Sequence, residues 1–179
     1  MPHRYIPGMR SFARQRITTL LALFLLLPTS FAQSTDPALD WYRKVFSWED
    51  QYRATYHQLY LQYGMQGRPP GLDGVDPEVR EKLLEVSQAA AALWSEGMSL
   101  EGAVPPPIPS QRALVERRRM IEAGNRGLRA AVQLATTLLL DNIPKSELIA
   151  LNTSLEHSFE IRDLWAHLYA TTLQEGAER

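Results

Sequence analysis

The chain has 179 residues, no cysteine and a formal charge of −1, with 22% charged and 45% hydrophobic residues. That length accommodates one domain of ordinary size. Zero cysteine excludes disulfides, thiolate metal sites, a cysteine nucleophile and c-type haem attachment; the charge balance argues against general nucleic-acid binding.

The N-terminus opens with Arg4, Arg10, Arg14 and Arg16 and no acid, followed by an apolar run of 11 residues from Ile17 to Leu27 that Pro28 ends. Ser30-Phe31-Ala32 then places small residues at the two positions a signal peptidase reads. This pattern predicts a cleaved signal peptide over residues 1–32 and a mature domain over 33–179. The apolar run is well short of the ~20 residues a spanning helix needs. Arg14-Gln15-Arg16 is not a twin-arginine pair, which points to the general export route, and no cysteine is present to carry a lipid anchor. The expected location is periplasmic or secreted, with membrane contact only through the leader during export. Loss of the leader's four arginines takes the charge from −1 to −5.

The mature segment predicts an all-α fold, an antiparallel four-helix bundle with helices over about 37–63, 77–96, 111–140 and 144–173. Asp36-Pro37 and Asp76-Pro77 each supply an N-cap followed by proline at the first helical position, and Gly64 and Gly97 are the expected stops. The third helix starts after Ser110 and the fourth near Pro144. No stretch alternates apolar and polar residues over a useful length, so no strand is expected. Pro69, Pro70, Gly71 and Gly74 mark a loop of about ten residues between the first two helices. Val104-Pro105-Pro106-Pro107-Ile108-Pro109 must be extended, either as a stiff strap across the end of the bundle or as a docking peptide. Asn142-Ile143 is the shortest connection and makes the last two helices antiparallel neighbours. The helical faces agree: Val79, Leu83, Val86, Ala90 and Leu93 recur at alternating spacings of four and three, and Leu114, Ile121, Leu128, Val132, Ala135 and Leu139 line the third helix. The fourth is apolar around most of its surface, which predicts that it is the most buried.

Catalytic and metal motifs are weak. Asp163 and His167 stand one turn apart with Glu160 before them, but no pair elsewhere is spaced to complete a ligand shell, so no metal and no cofactor is expected. No nucleophile elbow and no phosphate-binding glycine loop is present. Three features remain. The first helix carries eight aromatics between Trp41 and Tyr63; Tyr52, Tyr56, Tyr60 and Tyr63 form a ladder that suits either a buried seam or a partner contact. On the third helix Arg112, Arg119 and Arg126 recur every seven residues beside Arg117, Arg118 and Arg129. That stripe clamps an anionic ligand, meets an acidic partner or approaches anionic lipid headgroups, or else it is balanced by pairing within the molecule. Arg53 and Arg162 fall on otherwise apolar faces; Glu49 pairs with Arg53 one turn away, while Arg162 must find an acid elsewhere or reach solvent by its stem.

Two functions are compatible with these features. One is an exported, non-enzymatic interaction or assembly protein of the bacterial cell envelope with a protein partner, such as an accessory subunit of a secretion, conjugation or pilus system. The other is a small exported all-α enzyme or ligand-binding bundle that holds an anionic molecule through Arg53 and Arg162.

Overall fold

The computed structural model describes residues 36–66, 76–138 and 145–177, with the side chains of 56–66, 138, 145, 148 and 177 excepted. The leader, the loop after Gln66, the Asn142-Ile143 connection and the predicted limits at Leu140 and Pro144 lie outside the described residues. Those described form four helices, α1 (Pro37–Gln66), α2 (Pro77–Gly102), α3 (Gln111–Leu138) and α4 (Lys145–Ala177), and no strand.

The helices start where the caps are. Asp36 Oδ1 accepts from the Ala38 amide at 3.0 Å, Asp76 Oδ1 from the Glu78 amide at 2.9 Å, and Ser110 Oγ from the Ala113 amide at 3.1 Å. Each satisfies a donor that the first turn leaves open, an effect of about 1 kcal/mol.

The ends differ from expectation. α2 does not stop at Glu96; it passes through Gly97 to Gly102 and ends where Ala103 turns extended (φ −78°, ψ 150°) ahead of the proline run, which cannot continue a helix. Gly97 serves packing instead. A Cβ there would lie 2.1 Å from Asn125 Oδ1 and 2.6 Å from the Trp41 ring. α1 likewise runs through Gly64 to Gln66, and α4 through Gly176, whose bare Cα faces Pro109, with a Cβ built there only 2.8 Å away. Glycine inside a helix costs about 1 kcal/mol relative to alanine, an amount that close packing offsets.

α3 is the central helix. Its largest contact is with α4, its next with α2, while it meets α1 only narrowly. Ala113, Met120, Ile121, Ala123, Leu128, Ala131 and Leu134 on it are buried. The expectation that α4 is the most enclosed does not hold, since Ile149 and Leu164 on α4 are more than half exposed. Aromatic wedges fit bare backbone: Trp41 from α1 sits on Gly124, and Phe159 from α4 on Gly127, where an added Cβ would lie 2.4 Å and 2.2 Å from the respective rings. Trp41 and Trp48 also donate their indole N–H groups to the carbonyls of Leu93 (2.8 Å) and Val86 (2.9 Å) on α2. The rings therefore enter the core with their polar atoms satisfied.

Candidate functional site

Helical spacing places Glu49 and Arg53 one turn apart on α1 and Glu156 and Asp163 two turns apart on α4, with Arg162 beside Asp163. The structure joins all five. Arg162 is fully buried. Its Nη2 donates to Glu49 Oε2 at 2.8 Å and to Asp163 Oδ1 at 2.6 Å, and its Nε donates to Asp163 Oδ1 at 2.8 Å. Arg53 Nε donates to Glu49 Oε1 at 2.9 Å, its Nη2 also contacts that oxygen, and its Nη1 donates to Glu156 Oε1 at 2.9 Å. Glu49 is thus the shared acid between a buried guanidinium and a rim guanidinium. The rings of Phe159, Tyr42 and Phe46 enclose Arg162, with centroids 4.5, 5.3 and 5.9 Å from its central carbon. Its Nη1 makes no hydrogen bond, so aromatic faces take the place of an acceptor there.

The electrostatics follow from burial. Desolvation is the largest influence on Asp163 and pushes its carboxyl above the usual range, against the opposing charge of Arg162. Burial likewise raises the Tyr42 hydroxyl, which is also bonded to Asp163. For Arg162 burial disfavours the charged form, but Asp163 and Glu49 outweigh it and the guanidinium is held more firmly protonated. Two arginines face three carboxylates, and the buried donor left without a hydrogen bond, Arg162 Nη1, is walled by rings. The cluster is a tie between α1 and α4, and it offers an incoming anion no free cation. Arg53 lies at the rim rather than in the core, with its side chain 45% exposed. Asp163, expected on a solvated strip, is drawn inward by Arg162.

A second buried tie was legible only in part. Asp36, read as a cap, also accepts from Arg117 Nε at 3.3 Å and from the Tyr169 hydroxyl at 2.6 Å. One carboxylate thereby pins the start of α1 to α3 and α4. Burial first, and then the Asp36 bond, raises the Tyr169 hydroxyl. The signal for Arg117 lay in its position: it stands 100° from Arg118 and 200° from Arg119, on the side of Ala113, Met120 and Leu128.

The aromatic ladder divides. Tyr52 is buried and stacks on Trp48 with centroids 5.2 Å apart, so it is a core residue and not a partner contact. The side chains of Tyr56, Tyr60 and Tyr63 lie outside the described residues. Among the described residues no group of three His, Asp or Glu is placed to hold a metal ion, and no helix is long and apolar enough to cross a membrane.

The arginine stripe of α3 is exposed. Arg112 bonds Glu116 at 2.8 Å, Arg118 bonds Glu122 at 2.8 Å, and Arg119 approaches Glu122 at 3.4 Å. Arg126 and Arg129 are exposed and meet no carboxylate among the described residues. Apart from buried Arg117, every arginine of this helix points outward, and of the acids that act on them Glu175 on α4 is exposed, near Arg112. Comparison with protein-family models, curated proteins and solved structures returned no match.

Proposed function

We propose that the chain is an exported, non-enzymatic interaction or assembly protein of a bacterial cell envelope, of the kind that serves as an accessory subunit of a secretion, conjugation or pilus system. The finer architecture belongs to the same reading: an antiparallel four-helix bundle released from a leader cleaved before Gln33. Contacts that run 41 to 93 and 48 to 86 between α1 and α2, and 49 to 162 and 53 to 156 between α1 and α4, support opposite chain directions in both pairs.

The observation that carries the function is a contrast of charge. The buried arginines are each paired with carboxylates within the domain, whereas the exposed ones on α3 outnumber their acids. Ionic groups that matter to the outside are therefore on a surface and not in an interior site. The test is co-purification of the tagged full chain from its native envelope fraction, with mass spectrometry of what accompanies it and N-terminal sequencing of the chain itself. A stoichiometric protein partner that survives moderate salt, on a chain beginning at Gln33, is the expected result. A solitary chain would contradict the reading.

The ligand-binding alternative has one feature in its favour, the unbonded Nη1 of Arg162. A bound dicarboxylate must raise apparent stability by mass action. No change in melting temperature at about 100 times a millimolar Kd, where binding adds about 2.7 kcal/mol, removes that alternative.

A further inference from the structure

The outward face of α3 has a composition that narrows what can lie on it. Its exposed residues include Arg112, Arg118, Arg119, Arg126 and Arg129, with Val115 as the one large apolar side chain. From Arg112 to Arg129 the row extends about 25 Å at the helical rise of ~1.5 Å per residue. Glu116 and Glu122 pair with it along the helix, Glu116 itself being buried, and Glu175 on α4 lies near Arg112. Five guanidiniums against these three carboxylates leave an excess of positive charge, concentrated at Arg126 and Arg129, on a domain that is otherwise acidic.

A protein partner that binds stably needs an apolar or aromatic centre ringed by polar groups. Val115, 46% exposed, is too small to provide one. An anionic lipid surface needs no such centre. Each basic residue near the headgroups adds attraction independently, and a guanidinium pairs with phosphate oxygens through two parallel N–H bonds. The absence of lysine from α3 suits that geometry, and a straight row along one helix suits a flat array of phosphates.

We propose that the exposed face of α3 is a membrane-docking surface that lies on anionic phospholipid headgroups, with Arg119, Arg126 and Arg129 as its principal phosphate contacts. This rests on the reading of the chain as an envelope protein; it assigns the α3 arginines to lipid, leaves a protein partner to another face, and goes beyond the expectation that the membrane is met only through the leader.

The experiment is co-sedimentation of the full chain with vesicles of phosphatidylglycerol and phosphatidylethanolamine, against vesicles of phosphatidylcholine alone. It is done at about 0.1 M and about 1 M salt, where the screening length falls from ~10 Å to ~3 Å. The variant R119Q/R126Q/R129Q is compared with R80Q/K82Q/K44Q, which removes equal charge from α1 and α2. Each set leaves the buried ties intact, and melting curves confirm that both fold. Any contribution of the leader is common to all three proteins and cancels. The expected result is salt-sensitive binding to the anionic vesicles only, weakened roughly a hundredfold by the α3 substitutions, at about fivefold per arginine, and little changed by the control set. Equal loss in the two variants, binding to phosphatidylcholine, or no vesicle binding by the wild type overturns the proposal. Binding to DNA or to an acidic protein in place of vesicles also overturns it. The envelope reading is judged separately: a protein partner co-purifying without vesicle binding leaves that reading standing and this one refuted, and vesicle binding by a chain that purifies alone does the reverse.

Discussion

At the scale of the residue, Arg162 is the side chain on which the interior depends most. It is fully buried with Glu49 and Asp163 as its partners, and removing one member of a buried pair leaves an uncompensated charge at a cost of about 3–5 kcal/mol. Arg162→Ala should lower unfolding stability by that amount in a urea titration, a large share of the 5–15 kcal/mol typical of a domain. Asp163 gives a prediction with a sign. Its folded carboxyl titrates above the ordinary 3.8, so between the two values the folded state holds more protons than the unfolded state. Through this group stability falls as pH rises across that window. Asp163→Asn, which keeps an oxygen for Arg162, should remove that slope from the curve of stability against pH. If the slope persists in the variant, the cause lies in another group. The Glu49–Arg53 pair was legible in the sequence, because i and i+4 residues meet on any helix. The Glu49–Arg162 pair was not, because it depends on how two helices come together, and the same is true of Asp36 with Arg117 and Tyr169.

Among the elements, the starts were more legible than the ends. A cap acts within a few residues, so Asp36, Asp76 and Ser110 could be read locally and the helices begin beside them. Gly97 could not, since a glycine that ends a helix and one that admits a ring look alike until the neighbouring helix is in place. The apolar stripes likewise fixed which faces turn inward, yet helix burial depends on neighbours, and α3 rather than α4 took the centre. Two substitutions test the aromatic wedges. Trp41→Ala should cost about 3–5 kcal/mol, through the lost ring and through the Leu93 carbonyl contact. Gly124→Ala should cost about 1–3 kcal/mol, because the new methyl meets the Trp41 ring and overpacks the core. Thermal or denaturant unfolding checks both. A neutral Gly124→Ala would mean that α1 can withdraw from α3 without loss. In the strap from Ala103 to Ser110, Pro109 faces Gly176, whereas Val104 is 93% exposed.

On the scale of the whole molecule, the placement of charge distinguishes interior from exterior. Inside, arginines and acids neutralise one another across helices and hold the bundle together. Outside, α3 carries a row of guanidiniums that its two glutamates do not balance. The row was legible from its seven-residue period, but its exposure was not, because Arg117 in the midst of it is buried. The aromatic ladder shows the opposite outcome, where Tyr52 belongs to the core although its spacing also suited an interface. The role proposed for this chain is contact within the envelope. Its most direct test is recovery of the tagged full chain from the native envelope fraction, with the accompanying proteins identified. The expected result is a chain processed at Gln33 and retained with a stoichiometric partner through moderate salt. A chain that emerges alone and free of the envelope would contradict it.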